Sequence, residues 1–180
     1  MQLYKKIVGD RVYLSPFDAE DTSMHHLWAK WMNDREVSST YGGFHLNTTL
    51  SCARASLADL SGYRYSIVLN DDDLVIGHIS LHDVDFLHRH AFLGVFIGES
   101  AFRGKGYGYE TVMLMLSHGF NSLNLHAIAL SVHADNHAGI ACFKKAGFKD
   151  TGRRREWIFK NGKYEDVLYM DLLQKEYYNS

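Results

Sequence analysis

The chain has 180 residues, of which 46% are hydrophobic and 13% aromatic, so it is long and apolar enough to bury the core of one globular domain. A formal net charge of −2 gives no general attraction to nucleic acid or to an anionic membrane. The two cysteines form neither a disulfide framework nor a zinc-binding spacing, which fits a reducing cytoplasm. No secretory signal is apparent, and no apolar run approaches the roughly 18 residues of a membrane helix. We therefore predict a single cytoplasmic domain over 1–180, with neither nucleic acid nor a membrane as partner.

The first half of the chain alternates between helical periodicity and short apolar runs. Acidic residues 18, 20 and 21 suit the positive end of a first helix. The predicted elements are a strand over 11–14, a helix ending near Asn33, an irregular segment over 35–46 with a flexible joint at Gly42 and Gly43, a helix over 47–62, and a hairpin of strands over 63–69 and 74–81.

The second half alternates strands and helices and ends in a hairpin. The predicted elements are a buried central strand over 91–97, a glycine loop, a helix to Phe120, a strand over 125–132, a helix over 137–146 ended by Gly147, a strand over 148–159 interrupted near Gly152, a type I′ turn at Asn161-Gly162 and a strand over 164–172. The order predicts an α/β (α+β) fold, with a mixed, mostly antiparallel twisted sheet and helices on both faces.

The glycine loop is the stretch Arg103-Gly104-Lys105-Gly106-Tyr107-Gly108, which joins the central strand to the helix that follows it. Glycines let successive backbone N–H groups turn toward one point, and the helix N-terminus adds the positive end of its dipole. Arg103 and Lys105 add full charges, so the loop is predicted to bind phosphate. Its spacing fits neither a dinucleotide-binding fingerprint nor a P-loop.

Two motifs in this order resemble those of the GNAT superfamily of acetyl-coenzyme A-dependent N-acetyltransferases. One is the R-x-x-G-x-G pattern of the loop, and the other runs from Asn136 through a short helix to Lys145-Ala146-Gly147-Phe148. The resemblance spans about the whole chain and is nearest to the RimJ/RimL-like branch. It implies a GNAT-like fold, acetyl-coenzyme A as cosubstrate, and direct transfer of the acetyl group to a primary amine in a ternary complex.

The resemblance also implies where the cofactor binds. Backbone groups of the central strand would hold it where that strand separates from the next, the glycine loop would hold the pyrophosphate, and Asn136 would serve as a ligand, a helix cap or both. The predicted cofactor-binding residues are Val95, Phe96, Ile97, Arg103, Gly104, Lys105, Gly106, Tyr107, Gly108, Asn136 and Phe143. Phe143 departs from the family pattern, which often has a tyrosine that protonates the leaving thiolate.

The predicted catalytic base is His90. Family members often carry a glutamate early in the central strand, where this chain has Phe92, and His90 lies two residues earlier on the same side of the strand. An imidazole can accept a proton near neutral pH. The alternative is that His90 is an ordinary surface histidine. His78, His82, His88 and His90 have no carboxylate or cysteine at ligand spacing, so no metal site is predicted.

The acceptor pocket is predicted between the first two helices and the last hairpin, with Trp31, Asn33, Glu36 and Trp157 as substrate-binding residues. The acceptor is an amine of unknown identity, either a protein N-terminus or a small amine. A short similarity over 86–94 also suggests a nucleotide-linked amino sugar. Because Phe143 lacks a hydroxyl, a non-catalytic acyl-coenzyme A-binding sensor is a further alternative. A homodimer is compatible with the sequence.

Overall fold

Helices and strands cover most of the chain in the computed structural model, which describes residues 1–41, 47–58 and 62–179. The strands are β1 (Ile7–Val8), β2 (Val12–Pro16), β3 (Tyr63–Leu69), β4 (Val75–Asp85), β5 (His90–Ile97), β6 (Ala127–His133), β7 (Lys149–Lys160) and β8 (Lys163–Leu173). The α-helices are α1 (Thr22–Asn33), α2 (Arg35–Tyr41), α3 (Leu50–Leu57), α4 (Tyr107–Ser117), α5 (His137–Lys145) and α6 (Gln174–Tyr177). A π-helical turn over His118–Ser122 extends α4.

The strands form one sheet in the order β1-β2-β3-β4-β5-β6-β8-β7. Every neighbouring pair is antiparallel except β5 and β6, which run parallel. A parallel pair needs a crossover, and α4 provides it between these two strands. The sheet is therefore mixed and mostly antiparallel, as predicted.

Helices cover both faces of the sheet. One core contains Val112 and Met115 of α4, Phe143 of α5, and the side chains that β5 directs to that face, such as Leu93. The other core contains residues of α1, α2 and α3 together with Phe96 of β5. Alternation along β5 thus sends successive side chains to opposite cores. We call the face of α1, α2 and α3 the acceptor face.

Three local predictions, a turn, a helix end and a strand interruption, are confirmed by the backbone. Asn161 and Gly162 both have positive φ, at 53° and 81°, as a type I′ turn requires. Gly147 ends α5 with φ of 98°, and the Phe148 N–H donates to the Phe143 carbonyl. The β7–β8 register shifts between Asp150 and Gly152, where an interruption was predicted.

Other boundaries differ from the prediction. Residues 35–41 form helix α2 and are not irregular, because the Glu36 carboxylate and the Ser39 carbonyl are bound by side chains from other elements, as described below. The predicted joint at Gly42 and Gly43 lies outside the described residues. Asp21, one of the three acidic residues predicted at the start of the first helix, caps α1 by accepting from the Ser23 N–H. The structure also adds the short strand β1 and the short helix α6.

Candidate active site

The sheet opens between β5 and β6. These strands pair only from His90 to Phe92, against Ala127 to Ala129, although β5 continues to Ile97 and β6 to His133. Gly98, just beyond β5, donates its N–H to Ile76, so it faces β4. Because backbone groups alternate in direction along a strand, Phe96 also faces β4, while Val95 and Ile97 face the gap. Of the three predicted strand residues, two therefore direct their backbones into the opening.

The glycine loop lies between the end of β5 and the N-terminus of α4. Gly104 and Gly106 have φ of 70° and 86°, a region in which side chains are strained. Gly106 occupies the N-cap position, and the Glu110 N–H is bonded to its carbonyl. The N–H groups of the first helical turn precede that bond and have no partner within the helix. They give the loop the character of an anion site.

Arg11 holds the loop from the start of β2. Its guanidinium donates to the Lys105 carbonyl at 3.0 Å and to the Glu110 carboxylate at 2.8 Å, and it lies over the Tyr107 ring. Burial would raise the pKa of Glu110, but hydrogen bonds from Arg11 and Val12 outweigh it and lower the pKa. The carboxylate therefore stays ionised and neutralises Arg11, whereas the Lys105 side chain is exposed at the loop.

Arg103 is placed differently from the prediction. Its guanidinium donates to the carbonyls of Ile97 and Gly98 at 2.9 and 2.7 Å, and it is ion-paired with Asp34 and Glu36. Burial would raise the pKa of Asp34, but the hydrogen bond from Arg103 lowers it. The guanidinium is thus occupied in joining the end of β5 to the α1–α2 junction. A direct contact between this side chain and phosphate is not supported by the geometry.

Helix α2 lies over the gap on the acceptor face and packs against both β5 and β6. Near its C-terminus, the Ser39 carbonyl is bonded to His133 at 3.0 Å and to Lys160 at 3.3 Å. At its N-terminus, Arg35 donates to Asn161 in the β7–β8 turn. The last hairpin therefore meets α2. The acceptor pocket between that hairpin and the two helices predicted from the sequence, now α1 and α3, stays a prediction.

The buried Lys160 is paired with Asp135, which follows β6. Burial would raise the pKa of Asp135, but the Lys160 hydrogen bond and charge lower it. Burial and the same lysine lower the pKa of His133. The ion pair stays charged and the histidine stays neutral near pH 7, which fixes the C-terminal part of α2 to the wide end of the gap.

The predicted substrate-binding residues do not form one cluster. Trp31 is only 1% exposed, donates to Glu99 and packs on Gly98, so it is a core residue rather than part of a pocket wall. Asn33 bonds the backbone of Thr48. Helical spacing identified Trp31 as an apolar position, but it could not show that the indole would be covered.

Glu36 and Trp157 lie nearer the surface. Glu36 is exposed and ion-paired with Arg103, as described above. Trp157 is 60% exposed on β7, with the Arg154 guanidinium 4.6 Å from its ring centroid. A role for either residue in acceptor binding stays a prediction.

Asn136 and Phe143 take up positions on α5. The Asn136 side chain caps the helix by accepting from the Gly139 N–H at 2.9 Å, which is the structural alternative given above. Phe143 is buried against Phe148, with ring centroids 5.9 Å apart. Cofactor contacts of both residues stay predictions.

His90 lies in the paired part of β5, beside Ala127, and its ring stacks on His88. It is four residues from Gly94, which is about 13 Å along a strand. A second histidine, His82 on β4, lies closer to the opening and was considered from the sequence only as a metal ligand. A Cβ built on Gly94 would be 3.8 Å from the His82 ring, 3.5 Å from the Tyr41 hydroxyl and 3.3 Å from the Ser80 hydroxyl.

Neither a metal-ligand cluster nor a membrane-spanning helix is found within residues 1–41, 47–58 and 62–179. No group of three or more His, Cys, Asp or Glu side chains in that part of the chain is arranged to hold a metal ion. Among the described helices, none combines the length and apolarity that crossing a bilayer requires.

The opened sheet, the glycine loop and the crossover helix define an acetyltransferase of the GNAT type. A family model described as "Acetyltransferase (GNAT) domain" matches residues 11–149, and the chain belongs to this family. It is an acyltransferase that moves an acetyl group to an amine. Sensor function, raised by Phe143, has no support among its relatives, which are named as enzymes.

Three relatives illustrate the range of this family. A provisionally named ribosomal N-acetyltransferase of Bacillus subtilis, YdaF, is 28% identical over 82% of this chain and 79% of its own, in line with the predicted branch. A spermidine N(1)-acetyltransferase of Vibrio cholerae is 33% identical over 58% of this chain and 60% of its own. The crystal structure of a V. cholerae spermidine N-acetyltransferase with CoA and spermine has a TM-score of 0.81 at 25% identity, covering 95% of this chain and 100% of that one.

Proposed function

We propose that this chain uses acetyl-coenzyme A as cosubstrate and transfers the acetyl group directly to a primary amine in a ternary complex. The observation that carries the proposal is the separation of β5 from β6 after Phe92, with a glycine loop and a helix N-terminus at the end of the same strand. The structure of a relative in complex with CoA supports it.

The thiol arm and the pyrophosphate of the cofactor each have a counterpart in the chain. The backbones of Val95 and Ile97 face the gap and suit the amide groups of an extended thiol arm. The N–H groups after Gly106 suit the pyrophosphate, and Lys105 adds a charge. The bound thioester supplies the activated acetyl group, and the protein positions the amine against it.

The acceptor is a primary amine of a small polyamine or of a protein N-terminus. Relatives named for spermidine and for ribosomal proteins support these two classes. The acceptor approaches from the side of α2, where the last hairpin and the α1–α2 junction meet. Neutral amine is the reacting form, so turnover rises with pH until the acceptor is deprotonated.

A thiol-release assay with acetyl-coenzyme A tests the function. The amine panel contains spermidine, spermine, a peptide with a free N-terminus, the same peptide acetylated at its N-terminus and a nucleotide-linked amino sugar. We expect release with the polyamines or the free peptide and none with the blocked peptide. Release with the amino sugar alone would favour the alternative acceptor, and no release with any amine would refute the proposal.

Two broader assignments belong to the same proposal. We place the enzyme in the cytoplasm, where its cosubstrate is made available and where the thiols of Cys52 and Cys142, which the structure shows unpaired, stay reduced. We also propose a homodimer, because β7 is an edge strand that is exposed along most of its length. Light scattering coupled to gel filtration measures the mass in solution, and a monomer at micromolar concentration would exclude the dimer.

A further inference from the structure

Polar side chains surround the space above Gly94 on the acceptor face, and we call this space the hollow. Gly94 lies two residues beyond the last β5 residue that pairs with β6. Ser80 and His82 reach it from β4, and Tyr41 reaches it from α2. The backbone of Gly94 does not require glycine, since its φ is not positive. A side chain at this position would instead crowd the Ser80 hydroxyl, so glycine keeps the hollow open.

Only one of these three polar side chains suits a base near neutral pH. A serine hydroxyl does not ionise in this range. Burial raises the pKa of the Tyr41 phenol, so it stays protonated. Imidazole is the side chain whose ordinary titration lies between pH 5 and 8.

The orientation of His82 is fixed on two sides. Its ring stacks on Phe92, with centroids 6.0 Å apart, and its Nδ1 lies 2.9 Å from the Asp83 carboxylate. A carboxylate accepts the hydrogen from Nδ1, which leaves the lone pair on Nε2. The Cδ2 atom faces Gly94, and Nε2 is bonded to it, so that edge of the ring is directed toward the opening.

The local backbone explains why Asp83 can reach its neighbour. The β4–β5 register shifts between His82 and Asp85, and Asp83 has a positive φ of 49°. Bulges of this kind redirect side chains and occur often beside active sites. The positive φ of Asp83 and its hydrogen bond with His82 therefore occur together at this bulge.

We propose that His82, oriented by Asp83, is the general base of the acetyl transfer, an inference that rests on the proposed function. As the amine nitrogen bonds to the acetyl carbon, the carbonyl electron pair moves to oxygen, and the Nε2 of His82 takes a proton from the nitrogen. The carbonyl re-forms as the C–S bond breaks with its pair on sulfur. The thiolate then takes up the proton from the imidazolium, which restores neutral His82.

The charged and titratable groups around His82 define its pH response. Asp83 faces it from its own strand, Tyr41 from α2, and Arg64 lies on the same face of β3, opposite Ser80. From β5 it meets Phe92 and Gly94, which do not titrate.

The test compares pH–rate profiles of wild type, His82→Gln and Asp83→Asn, with the exposed His126→Gln as the matched control. We expect His82→Gln to lower kcat about 10²- to 10³-fold and to flatten the acidic limb of the profile, because glutamine cannot take the proton. Affinity for coenzyme A should not change. Asp83→Asn should lower kcat about tenfold and shift the acidic limb, as expected of a positioning residue.

Added imidazole should restore part of the activity of His82→Ala, which a purely structural role does not predict. Calorimetric titration with coenzyme A shows whether each variant is folded. If His82→Gln does not fold, Asp83→Asn carries the test, because Asp83 is exposed. The inference would be overturned if folded His82→Gln kept the wild-type pH–rate profile. It would also be overturned if His90→Gln were the only variant to lose the acidic limb of that profile. Either outcome would leave the proposed function intact. A wild type that acetylates no amine would overturn both.

Discussion

Gly106→Val should weaken coenzyme A binding far more than it destabilises the fold. Gly106 has φ of 86°, and a Cβ placed there would lie 3.2 Å from the Arg11 guanidinium. A valine in this conformation is strained and projects its methyl groups at the N-terminus of α4. Both effects remove the close approach between the loop backbone and a pyrophosphate.

The size of the effect follows from the hydrogen bonds that would be lost. Bonds to a charged group contribute about 1.5–3 kcal/mol each. Losing one such bond, about 1.5–3 kcal/mol, corresponds to affinity lower by roughly 13- to 160-fold. The left-handed backbone itself costs a non-glycine residue about 1–2 kcal/mol, which acts on stability.

Gly162→Val is the matched control, because Gly162 has φ of 81° and a Cβ there would meet nothing within 4 Å. Urea unfolding should show a similar loss of stability in the two variants. Calorimetric titration with coenzyme A should show weak binding only for Gly106→Val. Unchanged affinity in folded Gly106→Val would refute the assignment of the loop to phosphate.

Two further predictions concern buried side chains. Phe143→Tyr should raise turnover by less than about 10²-fold, because a phenol can donate to a thiolate that already leaves well, and a melting curve would show any cost of burying the hydroxyl. A strong gain from a wild type inactive toward every amine would identify a binding protein instead. His78 is fully buried, and burial followed by the charge of Arg64 lowers its pKa to about 3. Since the unfolded chain takes up this proton below about pH 6.5, stability should fall by about 1.4 kcal/mol per pH unit from there toward pH 3. His78→Phe should remove that slope in urea unfolding at pH 6.5 and 4.5, and an unchanged slope would assign it to other groups.

Much of the fold follows from local signals in the sequence. Asn161, Gly162 and Gly147 all have positive φ, which glycine and asparagine adopt more readily than other residues. The hairpin turn and the helix end that they form could therefore be predicted. Helix α2 could not, because its sequence from Arg35 to Tyr41 is short and rich in serine and threonine, which favour helices weakly. Its helix is held by bonds from Arg103 and Lys160, which are far away along the chain.

The candidate site divides in the same way. The glycine loop is a continuous stretch with a characteristic spacing, so its position could be predicted. The hollow above Gly94 is lined by side chains from β4 and α2, which are far apart in the sequence. The position of His82 depends on the register shift at Asp83, which no residue pattern predicts. Periodicity also could not show that Trp31 would be covered, since burial depends on which elements meet.

The ion pairs of Arg103 join regions that the proposed reaction uses separately. Arg103 belongs to the glycine loop, yet its guanidinium binds Asp34 and Glu36 at the start of the helix that faces the acceptor. A displacement of the loop on cofactor binding would act on α2 through these ion pairs. If binding of the cosubstrate raises the affinity for the amine by some factor, thermodynamic linkage requires the amine to raise the affinity for the cosubstrate by the same factor. The strength of this coupling would then depend on one arginine.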